Sequence, residues 1–383
     1  MRRSPLIIGL TVLVAAITSA TMVSSFGDDH SGESERAACS PTKGTETSNC
    51  HATLVTGLNL VPLVTNAPVG LGPDRIKAIY NYPTSPTAGA GKTIAIVVAF
   101  DAPTVENDLN VFSAQYGLPL CTTANGCFKK VGSGENRRLP QVDTSWAVEA
   151  SLDTQWAHAI APGAKILLVE AQSDTLSSLM NAVDYAKGRA DYVSMSWGTD
   201  EFRGQGKYNS EFSEDGVSFF ASAGDSGLIP TYPATAPGVI AVGGTSLHFT
   251  NSVFTSETGW SFGGGGCSAF ESASSYQLNT PGYSCKGKRS TPDVSFNADP
   301  FSGVAIYDST PFVKGGTFGW YQVGGTSVSA PAIAARAAVT GVTMNAKKLY
   351  SNTYTFRDIV TGGDANSCAV GFDLCSGRGS WIG

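Results

Sequence analysis

The sequence predicts an α/β fold with a mostly parallel central sheet flanked by helices. Three observations carry that expectation. Short, apolar, β-rich runs recur at residues 93–100, 165–170, 192–196 and 217–221, and such unbroken hydrophobicity marks strands covered on both faces. Helical patterns lie between and beside them, at 105–116, 146–159 and 176–187, and alternation of the two is the signature of a parallel sheet. Charge is sparse. Only 15% of the 383 residues are charged, 42% are hydrophobic and 44 are glycine, whereas an ordinary domain carries about 25% charge. The chain therefore has ample apolar material for one large core.

In chain order, Arg2 and Arg3 precede an uncharged run from Leu6 to Val23 with small residues at Ser19 and Ala20. This is the layout of a secretory signal over residues 1–23. A membrane anchor is the alternative, weakened by the Gly, Thr and Ser that interrupt the run. Residues 24–70 are polar and rich in Ser, Thr and Gly, and read as a flexible leader or short prosegment. Residues 71–383 form a single catalytic-sized unit. Within it, 245–300 is Gly- and Ser-rich with few helix signals and reads as loops and short strands, and a last helix starts near Ser327.

The eight cysteines all follow the signal and fall into close pairs, Cys39/Cys50, Cys121/Cys127, Cys267/Cys285 and Cys368/Cys375. An even count in an exported chain argues for disulfides, and local pairing is the expectation among 105 connectivities. A zinc site is disfavoured because no CxxC occurs and the four histidines are scattered. The net charge of −6 argues against nucleic acid. No later run is long enough to span a bilayer, so no stable membrane partner is expected.

Three segments carry chemistry. In WAVEASLDTQWAHAIAPGA, Glu149 and Asp153 are four residues apart and share a helix face. Most of that helix is apolar, so the two carboxylates resist joint ionisation rather than sitting as a solvated surface pair. In GGTSVSAP, Ser327 follows two glycines at a loop-to-helix junction, where a hydroxyl and an unpaired N–H can face a substrate. A plain N-cap serine would not require the Gly pair. In FASAGDSG, Asp225 ends a buried strand, the edge at which α/β sheets place ligands. Taken alone it could equally be an Asx-turn aspartate.

Together these segments resemble the sedolisins, serine-carboxyl peptidases with a subtilisin-like three-layer fold. The resemblance runs from about Leu71 to the C-terminus. It implies Ser327 as nucleophile, Glu149 as general base and acid, Asp153 as the group orienting Glu149, and Asp225 as an oxyanion donor. It also implies that Ser196–Trp197–Gly198 is a strand pairing with substrate backbone. The stretch FRDIVTGGD…AVGFDLCSGRGS resembles the family's calcium loop, which implies one Ca²⁺ held by the carboxylates of Asp358 and Asp373 and the carbonyls of Ile359, Ala369 and Gly371.

The expectation is thus a secreted, monomeric peptidase acting on proteins or peptides at acidic pH, either as an endopeptidase or as a tripeptidyl-peptidase. Two rivals stand beside it: an inactive secreted binding protein on the same fold, and a Ser/His/Asp hydrolase using His158 with Asp101. His158 lacks the Gly-rich setting of a catalytic histidine, and Asp101 has no partnered one, so both read as structural. The leader is shorter than the usual sedolisin prosegment. The cluster Gly263–Gly266 reads as cleft wall, since no GK[ST] follows.

Overall fold

The computed structural model describes residues 32–39, 46–57, 59–227, 229–312, 316–363 and 368–383. The signal segment expected at 1–23 lies outside these. The central sheet runs in the order Phe128–Gly132, Lys165–Ala171, Thr93–Ala99, Tyr192–Met195, Ser218–Ser222, Val239–Thr250, Val294–Asn297, Ser380–Trp381, Phe356–Arg357. All neighbours are parallel except the last pair and the hairpin strand Val253–Gly259 on Val239–Thr250. Beyond their first residues the middle strands are buried, which is why they read as continuous apolar runs. Helices Val105–Gln115, Thr144–Ile160, Leu176–Lys187 and Thr326–Thr340 cover the sheet. The subtilisin-like expectation holds.

Chain order reverses direction between Thr93–Ala99 and Tyr192–Met195. A crevice opens at the carboxyl ends of strands at such a switch. Two buried helices meet there. Thr144–Ile160 is capped by Asp143, whose Oδ1 accepts from the amides of Ser145 (2.9 Å) and Trp146 (3.1 Å). Every residue from Trp146 to Ile160 is buried, so the helix is locked on all sides rather than along one stripe. Gln155 exchanges two hydrogen bonds with the Tyr307 backbone, and Trp156 Nε1 donates to the Ala305 carbonyl.

Residues 245–300 hold the loops and short strands expected there, together with the end of one long strand. Val239–Thr250, Val253–Gly259, Gly266–Ser272, Lys288–Thr291 and Val294–Asn297 are all extended. Glycines there suit close contact: a Cβ on Gly264 would lie 2.2 Å from the Ala223 carbonyl oxygen. The expectation of a flexible leader is corrected. Ser34–Ala37 pairs antiparallel with Thr53–Thr56, which pairs with Gly319–Gly324, while Asn49–Cys50 pairs with Trp197–Asp200. Cys50, Ala52, Leu54 and Val55 are buried, so this polar segment hides one apolar row. All four disulfides join the expected close pairs, Cys39–Cys50, Cys121–Cys127, Cys267–Cys285 and Cys368–Cys375. Among the described residues, no helix is long and apolar enough to cross a membrane.

The far side of the sheet is pinned by a buried ion pair. Arg289 reaches Asp293 at 2.5 Å and the Val239 carbonyl at 3.2 Å, and Asp293 also accepts from the amide of Ala241. Replacing Arg289 alone strands a buried carboxylate, a cost of about 3–5 kcal/mol. Chemical denaturation should show that loss for Arg289→Met, and Arg289→Met/Asp293→Leu should recover most of it.

Candidate active site

Four side chains named from the sequence converge on one point at the switch crevice. Glu149, Asp153 and Ser327 are fully buried. Glu149 and Asp153 sit one turn apart on Thr144–Ile160. Glu149 Oε2 accepts from the Ala52 amide at 3.0 Å, while Asp153 Oδ1 accepts from Ser196 Oγ at 2.8 Å. Their other oxygens, Glu149 Oε1 and Asp153 Oδ2, have no separate partner. They are satisfied when one carboxyl keeps its proton and donates to the other.

Electrostatics enforce that sharing. Desolvation raises both pKa values well above the usual carboxyl range, and the Asp153 charge raises Glu149 further. Two buried like charges at this spacing cannot both ionise. The nearby Ser327 hydroxyl acts the other way, favouring the Glu149 anion. The pair therefore holds one proton readily and can accept a second.

Ser327 is placed by backbone devices. Gly325 has φ +89°, a left-handed conformation that side chains resist. A Cβ there would also fall 1.8 Å from the His51 carbonyl oxygen and 2.7 Å from Asp225 Oδ2. Helix Thr326–Thr340 then begins, and its first amides have no helical acceptor. Thr326 N–H donates to Asp225 Oδ1 at 2.8 Å, and Ser327 N–H donates to the His51 carbonyl at 3.3 Å. Pro331 removes the amide that would have taken the Ser327 carbonyl, which lies 3.4 Å from Ser196 Oγ. Ser327 Oγ itself lies 3.3 Å from the Ser196 carbonyl.

Asp225 follows the end of strand Ser218–Ser222. Burial pushes its carboxyl pKa up to about 7, despite hydrogen bonds from Thr326 that favour the anion. Thr326 Oγ1 also donates to Oδ1 (2.7 Å), and Thr53 Oγ1 approaches Oδ2 (3.4 Å). A peptide carbonyl, that of His51, thus points at the Ser327 amide, with Asp225 alongside.

Sequence reasoning names the three acids and the one hydroxyl but misses their supports. Ser196 orients Asp153 besides lying on the expected substrate strand, and Thr326 holds Asp225. His51, Ala52 and Thr53 come from the segment read as a flexible leader, and only its apolar alternation hinted at order. Trp197 and Gly198 pair with Cys50 and Asn49. The rival histidine is elsewhere. His158 lies nine residues beyond Glu149 on the same helix, about 14 Å along its axis; it is buried and bonds the Pro119 carbonyl at 2.7 Å. Asp101 is paired with Lys130 at 2.6 Å. Neither meets Ser327.

The C-terminal loop brings the two expected metal carboxylates to one short turn. Asp373 Oδ2 accepts from the Ala369 amide at 2.7 Å, and Asp358 Oδ2 from the Gly371 amide at 2.9 Å. The disulfide Cys368–Cys375 closes this loop, and Ile359 is buried against it. Asp373 is mostly buried, and desolvation raises its pKa. Among the described residues neither carboxylate has an ion-pair partner. Asp373 Oδ1 also accepts from the amides of Cys375 (3.0 Å) and Ser376 (2.7 Å), so its charge is partly met by the turn itself, while carboxylate and carbonyl oxygens remain the donor type that suits a hard divalent cation.

Comparison with known proteins agrees with this geometry. Residues 144–358 match the subtilase family. The chain is 27% identical to xanthomonalisin of Xanthomonas sp. (strain T-22) over 81% of its own length and 45% of the relative's. It is 31% identical to kumamolisin of Bacillus sp. (strain MN-32), covering 61% of this chain and 49% of that one. The chain therefore spans about half the length of the curated relatives it matches. Among solved structures, Pseudomonas sedolisin, a serine-carboxyl proteinase complexed with two molecules of pseudo-iodotyrostatin, superposes with a TM-score of 0.70. Identity there is 25%, covering 83% of this chain and 96% of that one. With the carboxyl pair, the serine and the aspartate in one crevice of a subtilisin-like sheet, this chain belongs to the subtilase family, on its sedolisin branch.

Proposed function

We propose that this protein is an exported serine-carboxyl peptidase that hydrolyses peptide bonds in proteins under acidic conditions. The observation that carries the reading is the peptide group of His51–Ala52, whose carbonyl meets the Ser327 amide while its nitrogen meets Glu149. Those are the two atoms on which amide hydrolysis acts.

Chemistry follows from the charges already described. Ser327 Oγ attacks a substrate carbonyl carbon and passes its proton to Glu149, which shares the load with Asp153. The oxyanion is stabilised by the Ser327 N–H and by the acid form of Asp225. Collapse breaks the C–N bond as Glu149 returns the proton to the leaving amine. Water then attacks the Ser327 ester, giving its proton to Glu149, and the acid product leaves with Ser327 restored. Ser196 keeps Asp153 aimed at Glu149 through its 2.8 Å hydrogen bond. Four disulfides support export to an oxidising compartment. Asp358 and Asp373, with the Ile359, Ala369 and Gly371 carbonyls, would hold one Ca²⁺, which would stiffen the C-terminal loop and take no part in catalysis.

On unfolded casein, Ser327→Ala should abolish cleavage, a loss of at least about 10⁵-fold. Glu149→Gln should cost about 10³-fold or more, whereas His158→Ala should keep kcat/KM within tenfold; cleavage surviving in Ser327→Ala would remove the mechanism.

The pH profile has a worked sign. Asp225 donates only as the acid, and its pKa is raised to about 7. Opening the crevice rehydrates it and lowers that value, so kcat should fall as pH rises toward and through 7. At low pH the Glu149/Asp153 pair gains its second proton and the base is lost. A bell centred below neutrality is expected, and a maximum above pH 8 would contradict the assignment. Asp225→Asn should flatten the alkaline limb, because an amide donates at any pH.

If Ca²⁺ occupies the C-terminal loop, EDTA should lower Tm by several degrees and added Ca²⁺ should restore it. Asp358→Asn/Asp373→Asn should abolish both the EDTA effect and the bound calcium measured by elemental analysis.

A further inference from the structure

The segment lying in the crevice presents its backbone as a substrate would, and its side chain shows what the crevice selects. Asn49 and Cys50 run antiparallel to Gly198 and Trp197, and the His51 amide donates to the Ser196 carbonyl at 3.2 Å. His51 is therefore the residue immediately before the peptide bond at Ser327. Its imidazole is turned inward and is only 8% exposed. Nδ1 lies 2.6 Å from Ser222 Oγ, and the Ser222 hydroxyl can donate to the Met195 carbonyl at 3.4 Å. Gly198 leaves the room: a Cβ on it would come within 2.9 Å of His51 Cε1 and 3.1 Å of Thr231.

We propose that Ser222, in a pocket walled by Gly198 and Thr231, makes this enzyme selective for histidine immediately before the scissile bond. The inference rests on the serine-carboxyl reading above and adds the substrate class to it. Ser222 is fully buried at the end of strand Ser218–Ser222. With an aliphatic side chain in the pocket its hydroxyl loses the imidazole as partner, and a buried polar group left so is penalised. With an imidazole it gains one, in a position fixed on a rigid strand. Burial pushes the His51 pKa down to about 4, so the pocket holds the neutral ring. By the acyl transfer already described, the chain's own His51–Ala52 bond is a substrate of the same kind: the His51 carbonyl carbon passes to Ser327 Oγ, the Ala52 nitrogen leaves as an amine, and water releases a His51 carboxylate.

The test uses the full chain at pH 5. A denatured proteome digest is incubated with it and the cleavage sites are read by mass spectrometry, together with the enzyme's own termini. Histidine should precede the cut at least tenfold more often than its natural frequency, and a new amino terminus should appear at Ala52. Two peptides differing only by His or Leu before the bond should differ at least tenfold in kcat/KM. Ser222→Ala should erase most of that ratio, while Ser222→Thr should retain part of it. Cleavage with no histidine preference, or a ratio unchanged in Ser222→Ala, overturns the inference and leaves the peptidase reading standing. Absence of any cleavage, of the digest, of casein or of the chain itself, overturns both.

Discussion

Two carboxyl groups one helical turn apart, with no access to water, govern the rest of this architecture. Such a pair is expensive to bury unless it shares a proton. The surrounding structure is arranged to make that sharing the only arrangement. Helix Thr144–Ile160 is enclosed on every side and anchored through Gln155 to the Tyr307 backbone, so the pair cannot swing out to solvent. Ser196 fixes one member from the neighbouring strand end. Ser327 and Glu149 are then held in register by two helices packed over the same sheet, which is more rigid than any loop could be.

The second constraint is backbone space around Ser327 and Asp225. Gly325, Gly264 and Gly198 each stand where a side chain would strike a backbone or ring atom. Removing those side chains lets a peptide, the start of a helix and the Asp225 carboxyl meet at contact distance. The conformational cost of glycine is repaid at positions where only hydrogen fits.

Much of the fold and the four side chains that meet in the crevice are legible in the sequence. Buried parallel strands announce themselves as unbroken apolar runs, so the strands centred on residues 96, 168, 193 and 220 were found with errors of one or two residues. The Glu149/Asp153 spacing and the Gly-Gly-Thr-Ser junction are local patterns, and local patterns survive in one dimension. The supports were less visible because they are non-local. Ser196 meets Asp153 across 43 residues and Thr53 meets Asp225 across 172, and no local pattern records such a contact. Residues 46–57 look like linker because their hydrophobic row is only Cys50, Ala52, Leu54 and Val55, too short to stand out against polar neighbours. The long strand Val239–Thr250 is masked by the Gly-Gly-Thr-Ser within it, which reads as turn but pairs in parallel with Val294–Asn297 and, from Thr245 onward, antiparallel with Val253–Gly259.

The buried acids also set how the fold responds to protons. Glu170 and Asp308 join Asp225 in having raised pKa values, about 8 and about 7, with desolvation the first cause in each. In the unfolded chain these carboxyls ionise near pH 4. Between about pH 4 and 8 the folded state therefore binds more protons than the unfolded one, and linkage makes stability fall as pH rises through that window. The buried, neutral His51 opposes this between pH 6.5 and about 4, and buried His158 acts in the same sense, but the raised carboxyls, Glu149 and Asp153 among them, outnumber the two. Acid that unfolds most proteins by protonating their salt bridges here completes the interior, so mild acidity firms the scaffold that holds the carboxyl pair.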